Sequence, residues 1–268
     1  MSTKTSIEWT DVTDNIIVAE EGGWWCRKIS PGCANCYAEK LNQSTYFKGN
    51  KMPYIGDPPK LKLRRELING WKRQRLPKKH FVASMTDVFG EWVPMIWQFD
   101  MLDAMAAAPL QIFQVLTKRA DGMEYCVSCW LSLNQLRLVP KSIWLGCTVE
   151  DQPRAALRIP ELIKIPGTLF LSCEPLLSAV DLTKWIGDKD SGTTDLIDWI
   201  ICGGESGKEA RPMHPDWARG LRDQCVAAGV PFLFKQWGEF SPEIIRVGKK
   251  AAGRLLDGRE WNEFPIEK

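Results

Sequence analysis

Short apolar runs alternate with longer amphipathic stretches along most of the chain. The apolar runs lie at 81–84, 112–116, 143–147, 169–172, 199–202 and 232–234. Runs of this length with few polar positions are typical of strands buried on both faces of a parallel sheet. The helices predicted between them, two of them with a proline near the start, cover 91–107, 119–136, 151–164 and 214–228. The alternation predicts an α/β fold made of βα units.

One more unit is expected at the start of the chain. Its strand lies near Ile7 or over 16–18, and its helix over 34–45. The length suits a single barrel, so the predicted architecture is a partial (βα)6-type barrel. The predicted parts are the barrel itself (1–238), a basic insertion within it (46–78) and a small C-terminal appendage (239–268).

Composition narrows the classes of protein to consider. Hydrophobic residues make up 44% of the 268 residues, which is enough for a sizeable core. The N-terminus lacks the apolar segment of a signal peptide, and no apolar run approaches the roughly 18 residues that cross a membrane. We therefore expect a cytoplasmic protein, in the host cytoplasm if the chain is phage-encoded, with no membrane partner. The nine cysteines are then expected to stay reduced and to serve as metal ligands or catalytic groups.

Three of these cysteines form the strongest local motif. Cys26, Cys33 and Cys36 fall within eleven residues, in a loop broken by Pro31. Three thiolates so close in sequence can converge on one soft metal centre. The last of them opens a predicted helix, whose N-terminal N–H groups favour thiolate over thiol. Three ligands leave one iron of a [4Fe–4S] cluster open for a cofactor or substrate.

Three other interpretations of the motif are open, namely a structural zinc site, a redox pair and three unrelated cysteines. A structural zinc site needs a fourth ligand, for which Cys126 and Cys129 are the nearest candidates, but their apolar helical stretch is typical of buried packing. With only two histidines in the chain, a His-rich zinc site is also disfavoured. A redox pair at Cys33 and Cys36 leaves Cys26 without a role. A metal centre is therefore the favoured interpretation.

Polar side chains follow every predicted strand, which is where (βα) barrels carry their active sites. Ordinary strand ends and helix caps explain any one of them equally well. The side chains that could hold a substrate ammonium, carboxylate or phosphate are Glu150, Glu174, Glu205, Lys118 and Lys235.

The predicted insertion is strongly basic. Nine lysines and arginines lie between Lys48 and Lys79, against two acidic residues, with the aromatic residues Tyr54 and Trp71 among them and Tyr46 and Phe47 just before. Cations suit a phosphate-bearing partner, and aromatic rings can stack on an extruded base. A solvated basic insertion is the alternative.

Together these motifs resemble the radical S-adenosylmethionine (SAM) superfamily and, more closely, a phage-associated family with a three-cysteine motif. The resemblance covers nearly the whole chain, with motifs at 5–11, 30–39, 203–212, 234–238 and 253–259. It implies a [4Fe–4S] cluster, SAM bound at the open iron, an external electron donor and a 5′-deoxyadenosyl radical. It further implies an isomerase acting on a glycyl-modified thymidine in phage DNA hypermodification.

The resemblance also implies roles for particular residues. Those expected to contact SAM or substrate are Tyr37, Ser84, Thr86, Asp87, Gly203 and Gly204. Two features depart from the superfamily pattern: the spacing is C-x6-C-x2-C instead of C-x3-C-x2-C, and the Gly-Gly-Glu segment follows a late strand. Two alternatives stay open, namely another nucleic-acid modification or repair reaction of the same chemistry, and a non-catalytic nucleic-acid-binding protein stabilised by zinc or iron–sulfur.

Overall fold

The computed structural model describes residues 3–44, 49–187 and 197–265. Tyr46, Phe47 and Lys48, which the sequence analysis counts in the basic insertion, lie outside the described residues. The chain divides into two compact units, the first made of 1–145 with 164–167 and the second of 146–163 with 168–268. The division at 238 proposed from sequence stays a prediction.

The first unit carries most of a parallel sheet. Its strands are β1 (Thr3–Lys4), β2 (Val12–Asp14), β3 (Ile17–Ala19), β4 (Leu61–Leu63), β5 (Lys79–Val82), β6 (Ile112–Thr117) and the start of β7 (Ile143–Thr148). The sheet runs in the order β1-β2-β5-β6-β7. β2, β5 and β6 pair in parallel, and β1 joins the edge antiparallel. β3 and β4 form a separate antiparallel pair.

The helices of this unit are α1 (Tyr37–Gln43), α2 (Arg65–Trp71), α3 (Met95–Ala106) and α4 (Ala120–Leu133). The predictions of 34–45, 91–107 and 119–136 are confirmed as α1, α3 and α4. Within the insertion the sequence analysis missed both β4 and α2. The signal for α2 was a short apolar face, because Leu67, Ile68 and Trp71 are all buried.

The first strand was predicted in the wrong place. The sheet contains β2, whereas Ile7 lies in no strand and 16–18 overlaps β3, which pairs outside the main sheet. The cause is a buried carboxylate: Asp14 is fully buried in β2 and interrupts the apolar pattern that the prediction relied on.

A buried polar network explains why Asp14 is tolerated there. Its Oδ2 accepts a hydrogen bond from the Trp71 indole at 2.8 Å and lies 2.6 Å from His80 Nδ1. The other ring nitrogen of His80 lies 3.2 Å from Gln111 Oε1. These groups join β2, α2, β5 and the residue before β6. Among the described residues, the other Asp14 oxygen, Oδ1, has no hydrogen-bond partner.

The second unit continues the alternation. Its elements are the end of β7, α5 (Gln152–Leu162), β8 (Thr168–Cys173), β9 (Trp199–Gly203), α6 (Pro215–Ala228), β10 (Phe232–Gln236) and α7 (Lys249–Ala252). β8, β9 and β10 pair in parallel, and Cys173 stands opposite Cys202. Asp151 caps α5 by accepting from the Arg154 N–H at 3.0 Å. The predicted strands and helices of this part are confirmed.

The α/β class predicted from the sequence is therefore confirmed. In the part of the chain that the structure describes, no helix combines the length and the hydropathy that a bilayer crossing requires.

Candidate functional site

The cysteine loop, defined here as residues 24–36, lies between β3 and α1. Cys26, Cys33 and Cys36 are all half-buried. Cys33 ends a single 3-10 turn and Cys36 caps α1. The charge of Cys36 acts on Cys26 and that of Cys33 acts on Cys36, so the thiols are near enough to influence one another in pairs.

Burial keeps two of these thiols protonated in the free protein. It raises the pKa of Cys26 to about 12, with a contribution from the nearby Asp87 carboxylate. It also raises the pKa of Cys36, although backbone N–H groups at the start of α1 and the charge of Lys118 act in the opposite direction. The helix start therefore favours thiolate as predicted, but desolvation outweighs it.

Aromatic and apolar side chains surround the cysteine loop. Cys26 and Cys36 pack against a buried cluster that contains Trp25, Tyr54 and Met85. Tyr54 is 1% exposed and donates a hydrogen bond from its hydroxyl to the Met85 carbonyl at 3.0 Å. Tyr54 therefore packs under the cysteine loop as part of the core. It is not accessible to a base, so the stacking role expected from the sequence is wrong for this residue. Trp71, in the network around Asp14, is fully buried as well.

The segment that follows β5 contacts this loop directly. Its first residue, Ala83, has a left-handed backbone with φ of 60°, an uncommon conformation for a residue with a side chain. The Tyr37 hydroxyl donates to the Ser84 carbonyl at 2.7 Å, and Thr86 Oγ1 donates to the Trp25 carbonyl at 3.0 Å. Three of the residues predicted to contact SAM are thus placed beside the cysteines.

Asp87 is committed to holding the end of β6. One carboxylate oxygen accepts from Thr117 Oγ1 at 2.6 Å, and the other accepts from the Lys118 N–H at 3.0 Å and from Arg119 at 3.2 Å. Its carboxylate faces these donors, so it positions Arg119; whether it also reaches a cofactor amino group, as expected from the sequence, stays a prediction.

Arg119 in turn holds the cysteine loop. Its guanidinium donates to the Arg27 carbonyl at 3.2 Å, lies 4.4 Å from the centre of the Trp92 ring and pairs with Glu91 at 3.3 Å. Arg27 pairs with the same Glu91 carboxylate. The sequence analysis missed these residues, although Arg119 stood in the polar end of a predicted strand.

We expect Arg119→Gln to expose Cys26. Losing the bonds to Arg27 and Asp87 should raise the rate of Cys26 alkylation by iodoacetamide about tenfold, because the loop opens more often. The lost positive charge acts against this, since it raises the thiol pKa and slows alkylation. Peptide mass spectrometry of the metal-free protein measures the rate.

Two comparisons control this measurement. Cys33, which makes no contact with Arg119, should react at an unchanged rate, and Arg154→Gln, on α5 of the other unit, should leave Cys26 unaffected. Equal Cys26 rates in wild type and Arg119→Gln would show that the guanidinium does not hold the loop.

In the second unit Glu150 forms a buried ion pair. Its side chain is fully buried and lies 2.6 Å from the Arg158 guanidinium, which also donates to the Thr148 carbonyl at 2.8 Å. The partner comes from α5, eight residues along the chain. The geometry gives Glu150 a structural partner, and a contact with substrate stays a prediction.

Glu205 is also paired. Arg211 donates to its carboxylate from Nε at 2.8 Å, from a terminal nitrogen at 2.6 Å and from the backbone N–H at 2.8 Å. This arrangement ties the segment after β9 to the chain that leads into α6.

Packing accounts for the two glycines of the Gly-Gly-Glu segment. A Cβ on Gly204 would stand 1.9 Å from the Trp237 carbonyl oxygen, and one on Gly203 would stand 2.5 Å from a Glu174 carboxylate oxygen. Gly204 therefore allows a close approach of backbone that a side chain would block, whereas at Gly203 the flexible Glu174 side chain would have to move. Contact of either glycine with SAM stays a prediction.

Glu174 and Lys235 form a partly exposed candidate pair in this unit. Lys235 Nζ lies 3.0 Å from a Glu174 oxygen, and their side chains are 19% and 13% exposed. Ser172 Oγ lies 3.4 Å from the other Glu174 oxygen. A partly exposed acid–base pair at the carboxyl ends of β8 and β10 can exchange partners with a charged ligand.

Comparison with known proteins places the chain in a family. The model of a family described as "Protein of unknown function (DUF5131)" matches residues 4–265. The chain belongs to the DUF5131 family. No curated protein and no solved structure matches it.

Membership in DUF5131 corrects the assignment made from the motifs. The assignment to the radical SAM superfamily, and to its phage-associated three-cysteine family, is wrong, since no family model of that kind matches. Within the described ranges, moreover, no group of three or more Cys, His, Asp or Glu side chains is placed to hold a metal ion.

The cysteine loop of this DUF5131 chain nevertheless has the donor chemistry of a cluster. A single tetrahedral zinc draws its sulfur ligands in to about 2.3 Å, and the described side chains are not arranged for one such ion. Iron–sulfur clusters are held by thiolate ligands, so Cys26, Cys33 and Cys36 would suit such a group by donor type.

Proposed function

We propose that this chain is an iron–sulfur enzyme in which Cys26, Cys33 and Cys36 hold a [4Fe–4S] cluster with one iron open for SAM. One observation carries the proposal: three neighbouring thiols lie on one loop that is pinned to the carboxyl ends of two parallel strands. With the cluster and SAM both bound, and the cluster reduced by an external electron donor, the two together would supply a 5′-deoxyadenosyl radical. The proposal depends on donor chemistry and not on family membership.

The residues around the loop support such chemistry. Trp25, Tyr54 and Met85 keep water from one side of the thiols. Arg119 fixes the backbone at Arg27, next to the first cysteine. Protein groups thus orient and shield the centre, whereas the hard chemistry belongs to the cofactor.

One exposed aromatic side chain is a candidate for stacking on the adenine of SAM or on a substrate base. Tyr37 follows Cys36 directly, and its side chain is 48% exposed while its hydroxyl is anchored to the Ser84 carbonyl. An anchored ring with an open face suits stacking. The equivalent role proposed for Tyr54 is given up, because that ring is buried.

The substrate is proposed to be part of a nucleic acid. The partly exposed Glu174–Lys235 pair supplies one anionic and one cationic group, which suits a substrate that carries an ammonium or a carboxylate. The narrower proposal is an isomerase acting on a glycyl-modified thymidine, and another nucleic-acid modification or repair reaction is the alternative. We also propose that the sheet curls into a partial (βα)6-type barrel. The proposed location is the cytoplasm.

Formation of 5′-deoxyadenosine tests this function. We expect wild-type protein, reconstituted with iron and sulfide without oxygen, to release 5′-deoxyadenosine from SAM when dithionite is added, and Cys33→Ala to release none above background. Chromatography of the nucleoside products measures it. Cys129→Ala, a half-buried thiol on α4, is the matched control and should keep the activity.

The opposite result would favour the second candidate function. A colourless wild-type protein that holds zinc and makes no 5′-deoxyadenosine would be a metal-stabilised nucleic-acid-binding protein and not an enzyme of this kind.

A further inference from the structure

A dense group of cations lies in the basic turn, defined here as residues 72–78. Lys72, Arg73, Arg75 and Lys78 are all exposed. Over the described parts of the chain, none of the four forms an ion pair with an acidic side chain. The turn therefore presents uncompensated positive charge to solvent.

Helix capping explains only part of this charge. Lys72 caps the C-terminus of α2, and Arg73 follows it, where cations interact favourably with the helix dipole. Arg75 and Lys78 stand beyond that terminus and gain little from it, since the effect fades within one turn. Their placement requires another explanation.

The basic turn lies at the amino ends of the parallel strands. It leads directly into β5, and the Lys78 carbonyl accepts from the Ile112 N–H at the start of β6 at 2.9 Å. The cysteine loop instead contacts the segment after β5, where Thr86 Oγ1 donates to the Trp25 carbonyl. The two features therefore stand at opposite ends of the same strands, and the cations of the turn cannot serve the cysteine site directly.

The turn is held in a defined shape by the buried network beneath it. Gln111 Nε2 donates to the carbonyls of Gln74 and Leu76 at 3.5 and 3.2 Å, and its oxygen lies next to His80. A surface ordered before binding loses less conformational entropy when a partner docks. Solvated lysine-rich loops need no such anchoring.

The surroundings favour a polyanion as the partner. Asp11 is the acidic residue that contacts this edge, and its carboxylate already accepts from the Lys79 N–H at 2.7 Å. Leu76 is the one large apolar side chain in the turn, which is little for insertion into a membrane. Because Tyr54 and Trp71 are buried, base stacking by these two rings is excluded, and phosphate contact remains.

We propose that the basic turn docks on the phosphate backbone of nucleic acid, independently of base sequence, at the sheet edge away from the cysteine loop. This inference deepens the proposed function, in which nucleic acid carries the substrate. It adds a second contact surface that holds the polymer without touching the reacting group.

The salt dependence of DNA binding tests the proposal. A short fluorescein-labelled duplex is titrated with the full chain, and binding is followed by anisotropy at several salt concentrations. The plot of log affinity against log salt has a negative slope. Replacing Lys72, Arg73, Arg75 and Lys78 together by glutamine should make that slope shallower by about 3.6. Between roughly 50 and 200 mM salt, the wild type should lose about a hundredfold more affinity than the variant.

Matched controls separate this surface from net charge. A variant with four other exposed lysines changed to glutamine, at Lys51, Lys60, Lys208 and Lys250, should bind with the wild-type slope. Thermal unfolding of both variants shows whether they fold. An unchanged slope in the turn variant overturns the proposal, as does loss of binding to phosphatidylserine vesicles while DNA binding stays normal.

The assay needs neither iron nor SAM, so its outcome is separate from that of the enzymatic proposal. DNA binding lost only in the turn variant, in a protein that makes no 5′-deoxyadenosine, would support the docking surface and contradict the enzyme.

Discussion

Replacing all three cysteines of the cysteine loop by serine is expected to abolish iron binding. The reconstituted wild type should hold about four irons per chain, and the triple variant fewer than about one, because serine hydroxyls do not replace thiolates at a cluster. Cys26, Cys33 and Cys36 are neighbours in the structure, so we expect each single variant to lose most of the iron as well. Iron and acid-labile sulfide analysis, together with visible absorbance, measures the loss.

Cys129→Ser separates this result from a general effect of removing thiols. It changes a half-buried cysteine on α4 and should bind as much iron as the wild type. Iron lost equally from this variant would mean that α4 contributes a ligand. That result would close the open coordination position on which SAM binding depends.

The second large effect concerns stability, through the ion pair between Glu150 and Arg158. Arg158→Met removes the Arg158 ion pair of a fully buried carboxylate, which should lower the free energy of unfolding by about 3–5 kcal/mol. Replacing both residues by methionine removes the carboxylate as well. The double variant should then lose only about 1 kcal/mol, for the bond that Arg158 donates to the Thr148 carbonyl.

Urea unfolding of the two variants measures these differences. Arg154→Met is the matched control, because Arg154 lies on the same helix and pairs with a partly exposed aspartate at 3.3 Å, so its loss should cost less than about 1 kcal/mol. If Arg158→Met lowers the free energy of unfolding no more than Arg154→Met does, the buried pair contributes little to stability. If the double variant is as unstable as Arg158→Met, the loss comes from packing instead.

The sequence predicted the alternating elements well, because strands buried on both faces leave continuous apolar runs. The first strand was misplaced for the same reason. β2 contains the buried Asp14, whose carboxyl group accepts from Trp71 and lies beside His80, both from distant parts of the chain. Such tertiary pairing leaves no mark in the local pattern.

The candidate site was predictable where its residues lie close in sequence. The three thiols and the polar ends of β5 and β6 were found because the loop and the strand ends are local motifs. The clamp of Arg119 on the Arg27 carbonyl was not, since the two residues are 92 positions apart. The basic stretch shows the opposite error, because two aromatic rings assigned to base stacking belong to the core.

Resemblance of motifs also proved weaker than the chemistry of the residues that carry them. Gly203, the last residue of β9, lies close to the Glu174 side chain, Gly204 lies close to the Trp237 backbone, and Glu205 is held by Arg211. A sequence motif that is needed for packing can occur in a protein that does not bind the ligand usually associated with that motif. The proposed function depends instead on three thiols that share one loop, two of which also pack against the buried cluster around Trp25.

Electron paramagnetic resonance of the dithionite-reduced, reconstituted protein tests the open iron most directly. With SAM added, the g values of the reduced cluster should shift, because a cofactor has bound to the iron that no cysteine holds. A spectrum that stays the same with SAM, or the absence of any cluster signal in fully folded protein, would contradict the proposed function.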